Sequence, residues 1–392
     1  MKHKNIPKGY KDSPLGIIPK EWEVKKLGEI SEISSGGTPL REKKEYWNGD
    51  IPWITTSLIN QPIINKADEF ITELGLYNSA AKIIKKGTLL MAMYGQGMTR
   101  GKVSKLNISA ATNQACAAIQ IKENYTDYIF YTLDYLYYDI RSLSNDGGQK
   151  NLSLELIKNI KISIPSIVEQ KKIAELLSTW DEAIEKQTKL IDILSRRKRG
   201  LMQQLLTKKR RLSNFTKKWE KVKLGEISTI KKGKALTESE IADGIYPVIA
   251  GGKTSPYNHN NFTDENVVTI SASGAYAGFV SYHNYKIWAS DCSVIKSINK
   301  VSNIHYLYQL LSFHQNYIYT LQSGGAQPHI FPKDISKLSF YIPTVDEQEI
   351  IAKILSNNDH LISLARKRLD MMLIQKRGLM QQLLTGKKRI KT

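Results

Sequence analysis

Two stretches of the chain place apolar residues at steps of four and three. In the first, the positions are Ile173, Leu177, Trp180, Ile184, Gln187, Ile191, Leu194, Lys198, Leu201 and Leu205. In the second they are Ile351, Leu355, Asn358, Ile362, Ala365, Leu369, Met372, Lys376, Leu379 and Leu383. This period marks helices that pack along one another, and no proline falls inside either stretch. At 1.5 Å per residue, about 39 residues predict a helix of roughly 58 Å, longer than one globular domain needs. The polar exceptions argue for a direction. In a parallel pair Lys198 would face Lys376, setting like charges in an apolar layer. Antiparallel, with Gln187 opposite Ala365, Lys198 falls near Leu355 and Lys376 near Leu177, and both lysine heads are expected to run outward to water.

The two stretches are copies. "KRGLMQQLLT" stands at 198–207 and again at 376–385, an offset of 178 residues. At that offset "IPSIVEQKKIAELLSTWDEAI" from Ile164 lies on "IPTVDEQEIIAKILSNNDHLI" from Ile342 without a gap. A second echo, "WEVKKLGEIS" from Trp22 against "WEKVKLGEIS" from Trp219, uses a larger offset, so the first half carries extra residues between the markers. Between the helices the chain reads as strand-rich with turn signals: "SSGGTP", "YGQGMTRG" and "SNDGGQ" in the first segment, "AGGKTSPY", "SASGAYAG" and "QSGGAQPH" in the second. The expected fold is α+β with a pseudo-twofold internal repeat. Two mixed α/β domains, 1–163 and 211–341, alternate with helical spacers at 164–210 and 342–392 that form an antiparallel coiled coil.

Charge narrows the partner. The 392 residues carry 57 Lys and Arg against 37 Asp and Glu, a net +20. Such an excess favours a polyanion; with no apolar run long enough for a membrane span, nucleic acid is expected rather than membrane. The basic N-terminus is followed by no apolar signal region, and Cys116 and Cys292 form no metal-binding or disulfide pattern, so a cytoplasmic address is expected. Both cysteines sit in short apolar strands and read as small core residues.

Catalytic patterns are missing. "AGGKTS" has Pro247 where a phosphate-binding P-loop needs glycine, no Asn-Pro-Pro-aromatic or Asp-Pro-Pro-Tyr segment presents an amine for methyl transfer, and no Gly-x-Gly-x-x-Gly occurs. The histidines have no metal-ligand spacing. A non-catalytic chain is expected; the rival classes are a coiled-coil scaffold that binds only protein and a self-contained methyltransferase or nuclease.

Several motifs, in order, carry a resemblance: "GIIPKEWEVKKLGEI", "SSGGTP" with "YWNGDIPWIT", "MYGQGMTRGKV" with "ATNQACAAI", "EQKKIAELLSTWDEAI" ending in "KRGLMQQLLT", then "YPVIAGGKTSPY", "ISASGAYAGFVSYHN" and "WASDCSVI". Over essentially its whole length the chain resembles the specificity subunit of type I restriction-modification enzymes. The resemblance implies two target recognition domains, each reading one half of a split, non-palindromic double-stranded DNA site, with the helices as spacer. It also implies two methyltransferase (modification) subunits and restriction/translocase subunits as partners. S-adenosylmethionine, ATP and Mg2+ are then used through those partners, with no cofactor bound by this chain.

Candidate DNA contacts follow from residue type and turn context. In the first domain these are the basic-aromatic cluster Arg41, Lys43, Lys44 and Tyr46; Thr55; and Tyr94, Gln96, Thr99, Arg100 and Lys102 around the glycine-rich turn. Gln149, Lys150 and Asn151 precede the first helix, as Gln327 and His329 precede the second. Because they share the repeat register, either DNA or the helix junction is open to them. In the second domain Lys231, Lys232 and Lys234 follow a strand, and Lys253, Ser271, Ser273 and Tyr276 lie on glycine-rich turns. The runs "RRKR" at 196–199 and "KKRR" at 208–211 suit DNA or a solvated helix end.

Overall fold

The seam forms two helices, Ile167–Leu206 and Val345–Leu384, each of 40 residues. The computed structural model describes residues 6–95, 98–143, 151–237, 244–255, 257–325 and 327–390. The chain divides into two units, Met1–Lys186 with Leu369–Thr392, and Gln187–Arg368. Each unit holds one mixed domain, the start of one long helix and the end of the other.

Within each unit the helix segments run antiparallel. In the second, Gln187 Nε2 donates to the Ala365 carbonyl at 2.8 Å, while Lys198 reaches back to Asp359 at 2.5 Å. In the first, Asp181 pairs with Lys376 at 2.6 Å and Glu169 with Arg389 further on. Of the apolar seam positions, Ile173, Leu177, Leu205, Ile351, Leu355, Ile362 and Leu383 are buried, and Trp180, Ile184, Ile191, Leu194, Leu201, Leu369, Met372 and Leu379 are half-buried.

The lysines correct one expectation. Their heads do not run out to water: the Lys198 and Lys376 side chains are 15% and 14% exposed, each paired with an aspartate of the opposite helix. Asp181 and Asp359 are repeat mates, and each carries a second donor from its own domain. Tyr131 OH donates to Asp181 and Gln309 Nε2 to Asp359, both at 2.7 Å. These donors come from equivalent helices, Thr126–Tyr135 and Ile304–Phe313. A helix-to-helix ion pair is thereby also a domain-to-helix joint. It fixes register, because a slip of one residue would leave two charges half-buried and unpaired.

Further joints repeat in the same way. Gln170 accepts from Tyr125 N and donates to Pro165 O; Gln348 accepts from Asn303 N and donates to Pro343 O. Buried Glu169 binds Arg389 and buried Glu347 binds Arg211. Arg389 donates to both carboxylate oxygens of Glu169, and these hydrogen bonds raise the Arg389 pKa above its ordinary value. One difference stands out: Trp22 Nε1 donates to Glu169 at 3.1 Å, whereas the buried Trp219 Nε1 has no hydrogen-bond partner among the described residues.

The domains share a frame despite unlike sequence. In the first, a five-stranded sheet runs Ser31–Ser35, Cys116–Ile121, Leu89–Ala92, Val103–Leu106, Ile63–Ile64. In the second, a four-stranded sheet runs Ser228–Lys232, Cys292–Ser297, Val267–Ser271, Val280–His283. The strands are rich in β-branched and aliphatic residues, and the central ones are buried along their length, as in "VVTIS". Each domain adds a parallel pairing, Ala111–Thr112 with Trp47–Ile54 and Trp288–Ala289 with Tyr246–Ile249. Each also has an antiparallel pair leading into its long helix, Glu23–Lys26 with Lys161–Ile164 and Glu220–Lys223 with Ser339–Ile342. The main core of the first unit joins Trp22, Leu27, Tyr128 and Ile173 to Met380 and Leu383; that of the second joins Leu224, Tyr306 and Leu355 to Met202 and Leu205. Cys116 and Cys292 are buried in the sheets, and burial pushes each thiol up to about 12. Among the described residues no helix is long and apolar enough to cross a membrane.

Candidate nucleic-acid interface

In the second unit the connections at one end of the four-stranded sheet converge. Strand Val267–Ser271 leads into a tight turn, Gly274–Tyr276, and the segment around His329 lies beside it. Gly274 N donates to Pro328 O at 3.1 Å and Ile330 N to Ala272 O at 2.9 Å. The link between the parallel strand and the central strand, Ser290 and Asp291, comes next: Ala272 N donates to Asp291 O at 3.1 Å. The strand Ser228–Lys232 runs on to Lys234, whose N–H donates to Ala289 O at 2.8 Å.

This brings most of the second-domain candidates together. Lys253, Tyr276 and Gln327 are exposed, and His329 is half-buried against Phe331. Lys253 Nζ lies 4.8 Å from the Tyr276 ring centre and Lys234 Nζ lies 5.1 Å from that of Trp288. The aromatic rings lend these flexible cations a preferred direction. Ser273 donates its hydroxyl to Asp291. Lys232 is exposed, but Lys231 is engaged elsewhere, 2.9 Å from the buried Asp264, which Lys296 also reaches at 2.9 Å. Burial alone would raise the Asp264 pKa; the hydrogen bonds from Lys296 and Lys231 outweigh it and hold the carboxyl below its ordinary value. Ser271 is a correction: it is buried, and its hydroxyl donates to Gly251 O at 2.8 Å, so it braces the loop from inside.

The first unit builds its end from the same connections. Met93 N donates to Ala115 O at 2.9 Å, Leu152 N to Met93 O at 3.0 Å and Gly37 N to Thr112 O at 2.9 Å. Tyr94 is exposed and Thr99 half-buried. Arg41 is exposed, with its guanidinium 3.9 Å from the Trp47 ring centre, and pairs with Glu69. Lys43 lies 3.8 Å from Glu45, and Lys44 is exposed. Thr55 is half-buried and shares a hydrogen bond with Ser57; Asn151 is half-buried.

Three first-domain candidates lie elsewhere. Tyr46 is buried at 7% exposure under the turn that begins strand Trp47–Ile54. Arg100, 8% exposed, folds back so that Nη2 donates to Arg141 O at 3.1 Å, closing its own turn. Lys102 lines a cavity of about 420 Å³ with Asp134, Lys376 and Arg377. Gln96, Gln149 and Lys150 lie outside the described residues. The basic runs are partly structural: Lys198 and Arg211 bind Asp359 and Glu347, and Lys208 Nζ sits 3.6 Å from the Tyr341 ring centre.

Sequence reasoning passed over Asp291 and Gln114, which occupy the same link in the two domains. It also passed over the polar joints Glu169, Gln170, Asp181, Glu347, Gln348 and Asp359. Their signal was present, since each recurs at the repeat offset as a polar residue on or beside an apolar seam. Among the described residues no group of three or more His, Cys, Asp or Glu could hold a metal ion.

The chain matches the type I restriction modification DNA specificity domain twice, over residues 19–194 and 216–371. It is 31% identical to the type I restriction enzyme MjaIX specificity subunit of Methanocaldococcus jannaschii over 59% of this chain and 57% of that one. Similarity to the MjaVIII specificity subunit of the same organism, at 25% identity, extends over 95% of this chain and 94% of the relative. With the Escherichia coli EcoprrI specificity subunit it is 24% over 90% of each. A crystal structure of a type I restriction-modification S subunit from M. genitalium has the same fold, with a TM-score of 0.67 at 18% identity over 93% of this chain and 96% of that one. With one such domain in each half, the chain belongs to the type I restriction-modification DNA specificity family.

Proposed function

We propose that each domain reads one half of a bipartite, non-palindromic duplex site, and that the helices set the spacer between the halves. They also present two near-equivalent docking faces, one to each of two methyltransferase subunits, which restriction/translocase subunits then join. On this reading the chain is non-catalytic. S-adenosylmethionine, ATP and Mg2+ serve the partners, and this chain supplies position and sequence.

The observation that carries the reading is the contrast between joints and loops. The joints recur residue for residue, Asp181 with Lys376 as Asp359 with Lys198, and Glu169 with Arg389 as Glu347 with Arg211. The loop ends of the same frame differ: Arg41, Tyr94 and Gln114 in one, Lys234, Lys253 and Asp291 in the other. A repeated support with unlike reading ends fits two copies of one partner and two different half-sites. Exposed apolar residues on the helices, among them Leu190, Ile193, Leu361 and Leu364 in the second unit and Met371, the repeat mate of Ile193, in the first, favour protein docking there.

The test is an exchange of residues 22–146 for the corresponding domain of a relative, followed by sequencing of methylated adenines in the host genome. One half of the motif should change while the other stays. Alteration of both halves would overturn independent reading.

A further inference from the structure

We propose that Asp291 is a base-reading residue of the second half-site, accepting a hydrogen bond from the amino group of a cytosine in the major groove. The proposal rests on the reading of the second domain as a DNA reader. Its first support is placement. Asp291 belongs to a two-residue link pinned on both sides, by Ser290 N to Ile249 O at 2.8 Å and by Ala272 N to its own carbonyl at 3.1 Å, so the side chain starts from a fixed point.

The second support is the state of the carboxylate. Oδ2 accepts the Ser273 hydroxyl, which orients the group, while Oδ1 has no protein partner and no lysine or arginine lies within ion-pair distance among the described residues. The residue is half-buried, at the foot of a surface that displays Lys232, Lys234 and Lys253. Gly251 packs closely against the oriented side of the group, where a Cβ would sit 2.8 Å from Ser273 O and 3.2 Å from Asp291 Oδ2, so only glycine lets the loop hold the carboxylate there.

Chemistry then limits what Oδ1 can meet. On a surface that binds a polyanion, a carboxylate repels every phosphate, so only a donor on a base edge can face it. The major groove offers the amino groups of cytosine and adenine. Adenine presents its amine beside the N7 acceptor, which a carboxylate cannot satisfy, whereas cytosine needs only an acceptor. In the first unit the same link, Asn113 to Ala115, displays the exposed Gln114, whose Oε1 accepts from Thr38 Oγ1 at 2.5 Å. An amide, with donor and acceptor side by side, suits adenine. One link in a shared frame thus displays a carboxylate in one domain and, one position earlier in the backbone register, an amide in the other.

The test uses the full chain with its modification subunits, in competition binding against duplexes of its own methylated site with each base pair of the second half replaced in turn. The unaltered complex should penalise replacement of one G·C pair by roughly 10- to 100-fold. Asp291→Ala should flatten that position and leave the penalties at the others. Asp291→Asn, which keeps size and can still accept from Ser273, should move the preference at that position to A·T, and it carries the test if the alanine variant does not fold. Unchanged penalties in the Asn variant, or an equal loss at every position, would overturn the proposal. A native complex that binds DNA with no base preference in this half would instead sink the parent reading.

Discussion

The two buried glutamates set up a matched experiment inside one chain. Glu169 and Glu347 side chains are each 1% exposed and each is clasped by an arginine, Arg389 at 2.6 Å and Arg211 at 2.7 Å. Replacing either arginine with methionine keeps much of the stem and removes the charge. Breaking a buried pair costs about 3–5 kcal/mol; because the arginines are 35% and 28% exposed, water can reach part of the stranded carboxylate and a value of about 3 kcal/mol applies. The first unit retains a second donor, Trp22 Nε1, and a hydrogen bond to a charged group contributes about 1.5–3 kcal/mol. Among the described residues the second has no such donor, since Trp219 Nε1 makes no hydrogen bond. Arg389→Met should therefore cost no more than about 1.5 kcal/mol and Arg211→Met about 3 kcal/mol, a larger loss in the unit with fewer donors. Adding Glu347→Gln to Arg211→Met removes the stranded charge and should recover about 2 kcal/mol. Urea unfolding followed by hydrogen exchange of peptides from each unit reads the two losses separately. Equal costs for the two arginines, or no recovery in the double variant, would refute the argument that an uncompensated buried charge sets the penalty.

Gly386 and its repeat mate Lys208 both take the left-handed backbone conformation, at φ of 69° and 63°, but a Cβ on Gly386 would lie 2.4 Å from Pro19 Cδ. Gly386→Ala should cost about 2 kcal/mol or more in the melting of the first unit, whereas Lys208→Gly should change stability by less than about 1 kcal/mol, relief of strain offsetting the lost Tyr341 contact. Burial depresses His283 to about 4, so its contribution is present above the unfolded value near 6.5 and is lost as pH falls from there toward 4. His283→Gln, read by thermal melts across that window, should flatten the part of the acid sensitivity due to this residue. Inserting one heptad near Gln187 and another near Ala365 keeps the seam in phase and adds about 10.5 Å, so the methylated motif should gain roughly three base pairs of spacer with both halves unchanged. An active enzyme with an unaltered spacer would show that the helices do not measure the site. With a net charge of +20, affinity of the complex for DNA should fall steeply with salt, and a flat titration would remove DNA as the reason for the charge.

The helices and the repeat were legible because a four-three step and a constant offset are written locally, residue by residue. From the antiparallel argument, Gln187 and Ala365 did meet as placed. The fate of the lysines was not legible: their partners, Asp359 and Asp181, lie far off in the chain, and a lysine on a seam looks the same whether it escapes to water or finds a carboxylate. Arg100 misled for a related reason. A glycine-rich turn with an arginine suggests exposure, yet its acceptor, the Arg141 carbonyl, lies 41 residues away on a helix that the turn itself does not announce. Tyr46 reads as surface beside three charges, but the chain turns there and puts the ring inside. The strand-rich domains were visible in outline, whereas their shared frame was not, since it rests on backbone pairings that tolerate unlike side chains.

The division of each long helix between the two units has a consequence for the order in which the protein is made. The second unit draws on one continuous stretch, Gln187–Arg368, and can close as soon as that stretch has emerged. The first cannot. Ile18, Trp22, Ile173 and Leu177 are covered in part by Met380, Leu383 and Leu384, which the ribosome supplies about 200 residues later. At about 5–20 residues per second that is a wait of roughly 10–40 s. During it, the earlier of the two domains must hold an open apolar face, so the domain translated before its partner finishes folding after it.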